Sequence, residues 1–554
     1  MAYVHGGRLV AQALKRHGIT HLFTLCGGHI QAIYDGCLDE EIRVIDVRHE
    51  QTAGHAADGY ARVTGKPGVC AVTAGPGITD AVTAVANAQR AGIPMVIIGG
   101  AGPKLLCDMG SLQDMDCVTL MRPITKWSVQ VPETRRIAEY IDSAMRVAQA
   151  GVPGPVFLEM PLDLLMNMHD DADLPATRAV VAYAGPDGSG GSPPRPGGDP
   201  RAIARAAELL KGAERPVFLV GTQMRWSPHR DAVKRAADAF EVPFYLNGMA
   251  RGALPADHAS LFSRSRKFAL AQADVAFVFG TPFDFRVDYG RTGVWAENVK
   301  IVQVDLDGAE LGRNRKVDVA IHGDSGIVLE QLLEAAGSKK APAWREAVRA
   351  DEAKRRAKMV AEIESNDSPP NPLRVCAELG KRLKPNDIVI GDGGDFVATA
   401  ANVIKLEWPQ LWMDPGPLGT LGVGPGYAMA AKLARPDANV VIVYGDGSFG
   451  LHALEFEAMA RQGIAVIALI GNDAGWTQIR RGQVEIYGEK RAVATALDYT
   501  RYEKIVEACG GVGFWVEKID ELGPALDAAF ASKKPSCVNV KIAKSDFRKG
   551  AISV

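Results

Sequence analysis

Residues 440–473 read VVIVYGDGSFGLHALEFEAMARQGIAVIALIGND. Val440–Tyr444 is a run of β-branched and aromatic residues without a polar face, the pattern of a strand buried on both sides. It stops at Gly445-Asp446-Gly447-Ser448. A helical pattern, Ala453–Arg461, follows, and a second apolar run, Ile464–Ile470, stops at Gly471-Asn472-Asp473. Strand, helix and strand in that order predict a right-handed crossover between parallel neighbours. Both strand ends then lie on one carboxyl edge, where open α/β sheets bind ligands. Asp446 and Asp473 are expected to meet there across the whole intervening unit. Two carboxylates and a backbone carbonyl, that of Gly475, would offer hard oxygens to Mg²⁺, which keeps phosphate oxygens as further ligands. Gly445 and Gly447 let the backbone approach closely. A helix expected after Ser448 would turn its N-terminus toward the anion. A GDG alone is an ordinary strand-end turn. The full order strand–GDGS–helix–strand–ND is what makes it a candidate metal–diphosphate cradle.

The same alternation extends through most of the chain and predicts three α/β domains, each a doubly wound parallel sheet. The first block carries strands at His21–Leu25, Val44–Asp46, Val69–Thr73, Met95–Ile98 and Pro155–Glu159. The second carries Val217–Val220, Pro243–Leu246, Val275–Phe279 and Lys300–Val304; the third adds Ile388–Ile390 and Cys537–Lys541 to the two above. Ala184–Pro200, AGPDGSGGSPPRPGGDP, is too poor in apolar residues to pack and reads as a linker. Ser338–Pro372 is a second, with a charged helix ending in Ser-Pro-Pro-Asn-Pro. Asn371-Pro372 reads as an N-cap and first-turn proline. The domains are placed at 1–180, 195–335 and 370–554.

Among 554 residues, 47% are hydrophobic and 23% charged, with 63 Lys and Arg against 65 Asp and Glu. That near-neutral balance gives no sign of a nucleic-acid or anionic-membrane partner. The eight cysteines form no CxxC pair, so neither zinc nor a disulfide framework is indicated, and a reduced cytoplasmic setting is expected. No signal peptide, bilayer-spanning run or peroxisomal address is read.

The 440–473 stretch, with 24 residues between Gly447 and Asn472, resembles the motif of the thiamine diphosphate enzyme family. The family has a second Asn as metal ligand where this chain has Asp473, a good magnesium ligand that adds a charge. Further segments carry the resemblance across nearly the whole chain. RHEQTAGHAADGYAR, residues 48–62, resembles the first-domain signature, and Glu50 in it would be the proton-relay base that hydrogen-bonds the aminopyrimidine. Thr73-Ala74-Gly75-Pro76-Gly77 resembles the turn that lies against the cofactor. In Gly416–Gly426, Leu421 would wedge between the two rings and the Gly419 carbonyl would receive the amino group. Gly393 and Gly394, at another strand end, are placed near the diphosphate. The resemblance implies thiamine diphosphate and Mg²⁺ as cofactors. It also implies a homo-oligomer, at least a dimer and commonly a dimer of dimers, in which first and third domains of different chains form each site.

The reaction is read from residues near the cofactor's C2. His29, in FTLCGGHI at residues 23–30, is suited to shuttle a proton. With Pro123–Trp127 it resembles benzaldehyde lyase. Gln113 resembles an active-site glutamine. Residues 247–252, 262–266 and 280–286 resemble 2-hydroxyacyl-CoA lyases and acetolactate-synthase-like proteins. Arg264, Arg266 and Arg286 match phosphate geometry and are candidates to hold ADP or CoA in the middle domain, a solvated face being the other reading. Arg548 in a basic tail is a candidate phosphate contact. Trp476 and Tyr487 are expected to line the substrate entrance. The expected activity is cleavage of 2-hydroxyacyl-CoA to formyl-CoA and an aldehyde or ketone, reversible as a condensation. The alternatives are a 2-hydroxy-ketone lyase, an acetolactate-synthase-like carboligase and an oxalyl-CoA-type decarboxylase. A non-enzymatic scaffold is disfavoured by Glu50, Leu421 and Asp446.

Overall fold

The structure is a computed structural model that describes residues 3–170 and 193–544. Three six-stranded parallel sheets follow one another along the chain. The first is built from β1 (His21–Thr24), β2 (Arg43–Asp46), β3 (Gly68–Val72), β4 (Met95–Ala101), β5 (Trp127–Gln130) and β6 (Pro155–Pro161), in the order β2-β1-β3-β4-β6-β5. The second has β7 (Pro216–Val220), β8 (Phe244–Leu246), β9 (Leu261–Phe262), β10 (Val275–Phe279), β11 (Lys300–Asp305) and β12 (Val319–His322), in the order β9-β8-β7-β10-β11-β12. The third has β13 (Ile388–Asp392), β14 (Leu411–Met413), β15 (Val440–Gly445), β16 (Ile467–Asn472), β17 (Val512–Val516) and β18 (Ser536–Lys541), in the order β14-β13-β15-β16-β18-β17. The first and third sheets therefore share one topology. A short antiparallel pair, Tyr3–His5 with Met168–Asp170, closes the first domain.

Seven helices frame the interdomain core and the strand-end crevices: α1 (Glu50–Thr64), α2 (Pro76–Ala91), α3 (Pro342–Ile363), α4 (Gly424–Ala434), α5 (Asp446–Phe449), α6 (Glu455–Arg461) and α7 (Thr477–Tyr487). α3 is the charged helix between the second and third sheets. The Asn371 side chain accepts the Leu373 N–H at 2.9 Å, as its cap reading requires. Part of the linker read at Ala184–Pro200 and the basic tail with Arg548 lie outside the described residues. Among the described residues no helix is long and apolar enough to cross a membrane.

The first and third domains share one apolar core, built around α1 and α4. The helices cross so closely that a Cβ on Gly59 would sit 2.7 Å from Tyr427 Cα, and one on Gly426 would sit 2.7 Å from the Thr52 carbonyl. Asp58, wholly buried, accepts from Arg62 Nε (2.5 Å), Asn87 Nδ2 (3.1 Å) and the Tyr427 hydroxyl (2.8 Å). Buried charges persist only when paired and hydrogen-bonded in this way. Most of the GHAADGYAR signature is thus interdomain packing, and Glu50 stands at its open end.

Candidate active site

In a parallel sheet of order 2-1-3, the crevice between the first and third strands is the natural ligand site. In the first sheet that crevice opens between the ends of β1 and β3. Beyond β1, a 3₁₀ turn at Gly28–Ile30 places His29, 8% exposed, with Nδ1 at 3.2 Å from Thr73 Oγ1 beyond β3. Burial lowers the His29 pKa. Gly75 takes φ +55°, and its missing side chain leaves room for the Gln113 backbone, whose carbonyl lies 2.7 Å from the Cβ position. Gln113 thereby arrives on a long loop with His29 and Thr73. Glu50, 8% exposed, is the first residue of α1, and its Oε1 lies 3.5 Å from where a Gly77 Cβ would be. Burial raises its pKa. His29, Glu50, Thr73, Gly75 and Gln113 thus gather at one crevice.

The third sheet repeats the geometry. Gly393 and Gly394 follow β13, and Asp446 to Ser448 follow β15, on either side of the corresponding crevice. Asp446 is 2% exposed and accepts the N–H groups of Gly447 (2.9 Å) and Gly475 (3.0 Å). Burial, then the neighbouring charge of Asp473, pushes its pKa up to about 7. Asp473, after β16, is raised by burial too. Such a crowded carboxylate pair is relieved by a divalent cation. The backbone around it is bare: a Cβ on Gly393 would meet Gly445 N at 2.8 Å, and one on Gly447 would meet the Trp476 ring at 2.7 Å. The residues fit a metal–diphosphate group. One expectation is corrected. The helix begins at Asp446, directly after Gly445 ends β15, and lasts four residues, before α6. Ser448 does not precede it, and its hydroxyl is turned onto Asp392.

A single cavity of about 1520 Å³ joins this crevice to that of the middle sheet. Asp446, Asp473, Gly475, Trp476, Gly419 and Leu421 line one part; Thr222, Thr281 and Arg286, beyond the strand ends of β7 and β10, line the other. His29, Glu50, Thr73, Gly75 and Gln113 are not among its walls. Tyr487 is 64% exposed at the end of α7 and does not reach it. Of the three candidate middle-domain arginines, Arg286 alone lines the cavity, with its guanidinium on Asp284 at 2.6 Å. Arg266 donates to the Arg286 carbonyl at 3.2 Å, and Arg264 donates to Asn402 Oδ1 at 2.5 Å. The N–H groups of Arg264 and Ser265 bind Glu352 of α3, each at 2.8 Å.

Sequence profiles of the thiamine pyrophosphate enzymes match all three domains. The N-terminal TPP binding domain covers residues 4–120, the central domain 203–332 and the C-terminal TPP binding domain 392–540. The chain belongs to this family. It is similar to a probable acetolactate synthase of Mycobacterium bovis, 40% identical over 97% of this chain and 95% of that protein. It is equally similar to 2-hydroxyacyl-CoA lyase 2 of Bos taurus, 41% identical over 99% of this chain and 92% of that protein. The Homo sapiens 2-hydroxyacyl-CoA lyase 2 is 40% identical over the same shares. Thiamine diphosphate is therefore the cofactor that these domains indicate.

Two buried carboxylates of this thiamine pyrophosphate enzyme escaped the sequence reading. Asp392, wholly buried at the end of β13, accepts the N–H groups of Gly422 (3.0 Å) and Gly424 (2.7 Å) and the Ser448 hydroxyl. It ties the loop of Leu421 to the GDGS turn. An Asp closing an apolar strand was the available signal, since a buried charge needs partners. The other is Glu455, whose pKa burial pushes up to about 7. An acid raised in the folded state binds protons that the unfolded chain has released, so its contribution falls away as pH rises from the ordinary carboxylate range through 7. Glu455→Gln is expected to flatten the decline of the cofactor-free protein's melting temperature between pH 5 and 8. A wild-type slope in the variant would reject the assignment.

Proposed function

We propose that the chain cleaves 2-hydroxyacyl-CoA thioesters to formyl-CoA and an aldehyde or ketone, and runs the reverse condensation. The observation that carries the reading is the cavity joining cradle and middle domain. Its volume, about 1520 Å³, exceeds the roughly 300–1,000 Å³ of ordinary small-molecule sites, which supports a substrate with a long nucleotide handle beside the cofactor. The similarity to the 2-hydroxyacyl-CoA lyases supports it. Asp446, Asp473 and the Gly475 carbonyl would hold Mg²⁺ and, through it, the diphosphate. Gly393, Gly394, Gly445 and Gly447 would admit the phosphates, with Gly419 and Leu421 against the rings. Bound thiamine diphosphate supplies the nucleophilic centre and electron sink for carbon–carbon cleavage. Glu50 would hold the proton at the aminopyrimidine, in a dry site where that bond is strong. His29, kept neutral by burial, would take and return the proton of the substrate hydroxyl, and Gln113 would orient it. Arg286, the one of the three candidate arginines on the cavity wall, would meet a phosphate there.

Glu50 and Asp446 belong to separate crevices of one chain. A second copy would bring the crevice of its first domain to the cradle of this one. Leu105, Met109 and Leu112, on the Gln113 loop, are 86%, 72% and 77% exposed, an apolar surface that such a copy would cover.

The purified protein, loaded with thiamine diphosphate and Mg²⁺, is to be offered a 2-hydroxyacyl-CoA, benzoin, pyruvate and oxalyl-CoA side by side. Formyl-CoA and an aldehyde or ketone from the first are expected. Acetolactate from pyruvate, with the thioester untouched, would establish the carboligase reading, which the similarity to acetolactate synthase favours.

A further inference from the structure

α6 lies just downstream of the cradle, yet its polar contacts go to the first domain. They bracket the turn between β2 and α1, the turn that presents Glu50. Glu455, at the first position of α6 and 1% exposed, accepts the Arg48 N–H with both carboxylate oxygens, at 3.1 and 3.0 Å. At the other end Arg461 grips Asp46 with two bonds, 3.0 and 2.6 Å. Gln462 Nε2 donates to the Asp46 carbonyl at 2.8 Å. Between these points His49 caps α1 by accepting the Gln51 N–H at 3.1 Å, with its ring edge-on to His452 at 5.3 Å.

The two grips are unequal. Arg461 and Asp46 are 44% and 39% exposed, so water and salt screen their attraction. Glu455 is enclosed, and its bonds to the Arg48 N–H at the start of α1 partly offset the burial that raises its pKa to about 7. A charge-assisted bond there is about twice as strong as a neutral one. Arg48 is two residues before Glu50, so a shift of its N–H rotates the start of α1 and with it the Glu50 side chain.

We infer that Glu455 is a positioning residue for Glu50: its carboxylate fixes the Arg48–His49 turn and so the direction in which Glu50 reaches. The third domain of each chain thus aims the base held on the first domain of that same chain. The inference rests on Glu50 being the proton-relay base.

The test is the rate of hydrogen–deuterium exchange at C2 of bound thiamine diphosphate, followed by quenched NMR in the holoenzyme, which needs no substrate. It is paired with amide exchange of residues 47–52 in the cofactor-free protein. Glu455→Gln is expected to slow C2 exchange by about tenfold or more, since small misplacements of a reacting group are costly. Amides 48–50 should exchange faster, while cofactor affinity stays within about twofold, because the cradle is untouched. Arg461→Ala should leave C2 exchange within about twofold. If Glu455→Gln does not fold, Glu455→Asp, one methylene short of Arg48, carries the same expectation. Wild-type C2 exchange in the Glu455 variant, beside slow exchange in Glu50→Gln, would overturn the positioning role alone. So would a loss of exchange matched by an equal loss of cofactor affinity. Wild-type exchange in Glu50→Gln would overturn the base assignment and the positioning role with it.

Discussion

Glu50→Gln is expected to lower turnover by about 10²–10⁴-fold, the range that a positioned proton-transfer group contributes. The fold and the cofactor affinity should be retained. Gln keeps the size of the side chain and a hydrogen bond, but cannot exchange a proton at the aminopyrimidine. Glu50 is 8% exposed and its pKa is raised by burial. For an acid raised in the folded state, stability is lost as pH climbs from the unfolded value through the folded one. The cofactor-free variant should therefore melt at an equal or higher temperature than wild type above pH 6. Steady-state turnover, titration of cofactor binding and melting at pH 5 and 8 check the three parts. Full activity would remove Glu50 from the mechanism.

Mixing two inactive variants is expected to restore activity. Asp446→Asn would deprive the cradle of its proposed metal ligand, and Glu50→Gln would deprive the other crevice of its proposed base. If each site takes Glu50 from one chain and Asp446 from the other, a mixed dimer holds one intact site and one doubly defective site. Random pairing makes half of the dimers mixed, so about a quarter of wild-type activity returns in a symmetric two-chain assembly. Co-expression with two tags checks this: the doubly purified species, in which every dimer is mixed, should carry about half of wild-type activity per chain. If both residues served one site within a chain, the mixture would stay inactive.

The strands that reached the sequence reading are mainly those in sheet interiors. β10, Val275–Phe279, is buried at every position, and its apolar run announced it. In the three large sheets the five strands that escaped, β5, β9, β12, β14 and β17, all lie at sheet edges. β9 is two residues long, and β5 and β17 are mostly half-buried. An edge strand owes its form to pairing with its neighbour, so its own residues carry little periodicity. The site followed the same division. Asp446, Asp473, Gly445 and Gly447 could be brought together in the sequence because one strand–helix–strand unit places them. Asp392 and Glu455 could not, because their partners, Gly424 and Arg48, come from segments remote in the chain.

By itself, then, the sequence determined three parallel α/β domains and the thiamine diphosphate family, and it put a candidate cradle at the end of β15 and a candidate base, Glu50, at the head of α1. These depend on local pattern and on spacing within one crossover. Tertiary structure decided what needs distant segments to meet. It gave the first and third sheets the same strand order, with a crevice in each. It joined the cradle to the middle domain in one cavity and left Glu50 outside that cavity. It also left Arg286 alone of the three arginines on the cavity wall, with Arg264 bound to Asn402. Whether a charged side chain faces a ligand or a neighbouring helix is set by which buried partner it must satisfy, and that partner is fixed only when the domains pack.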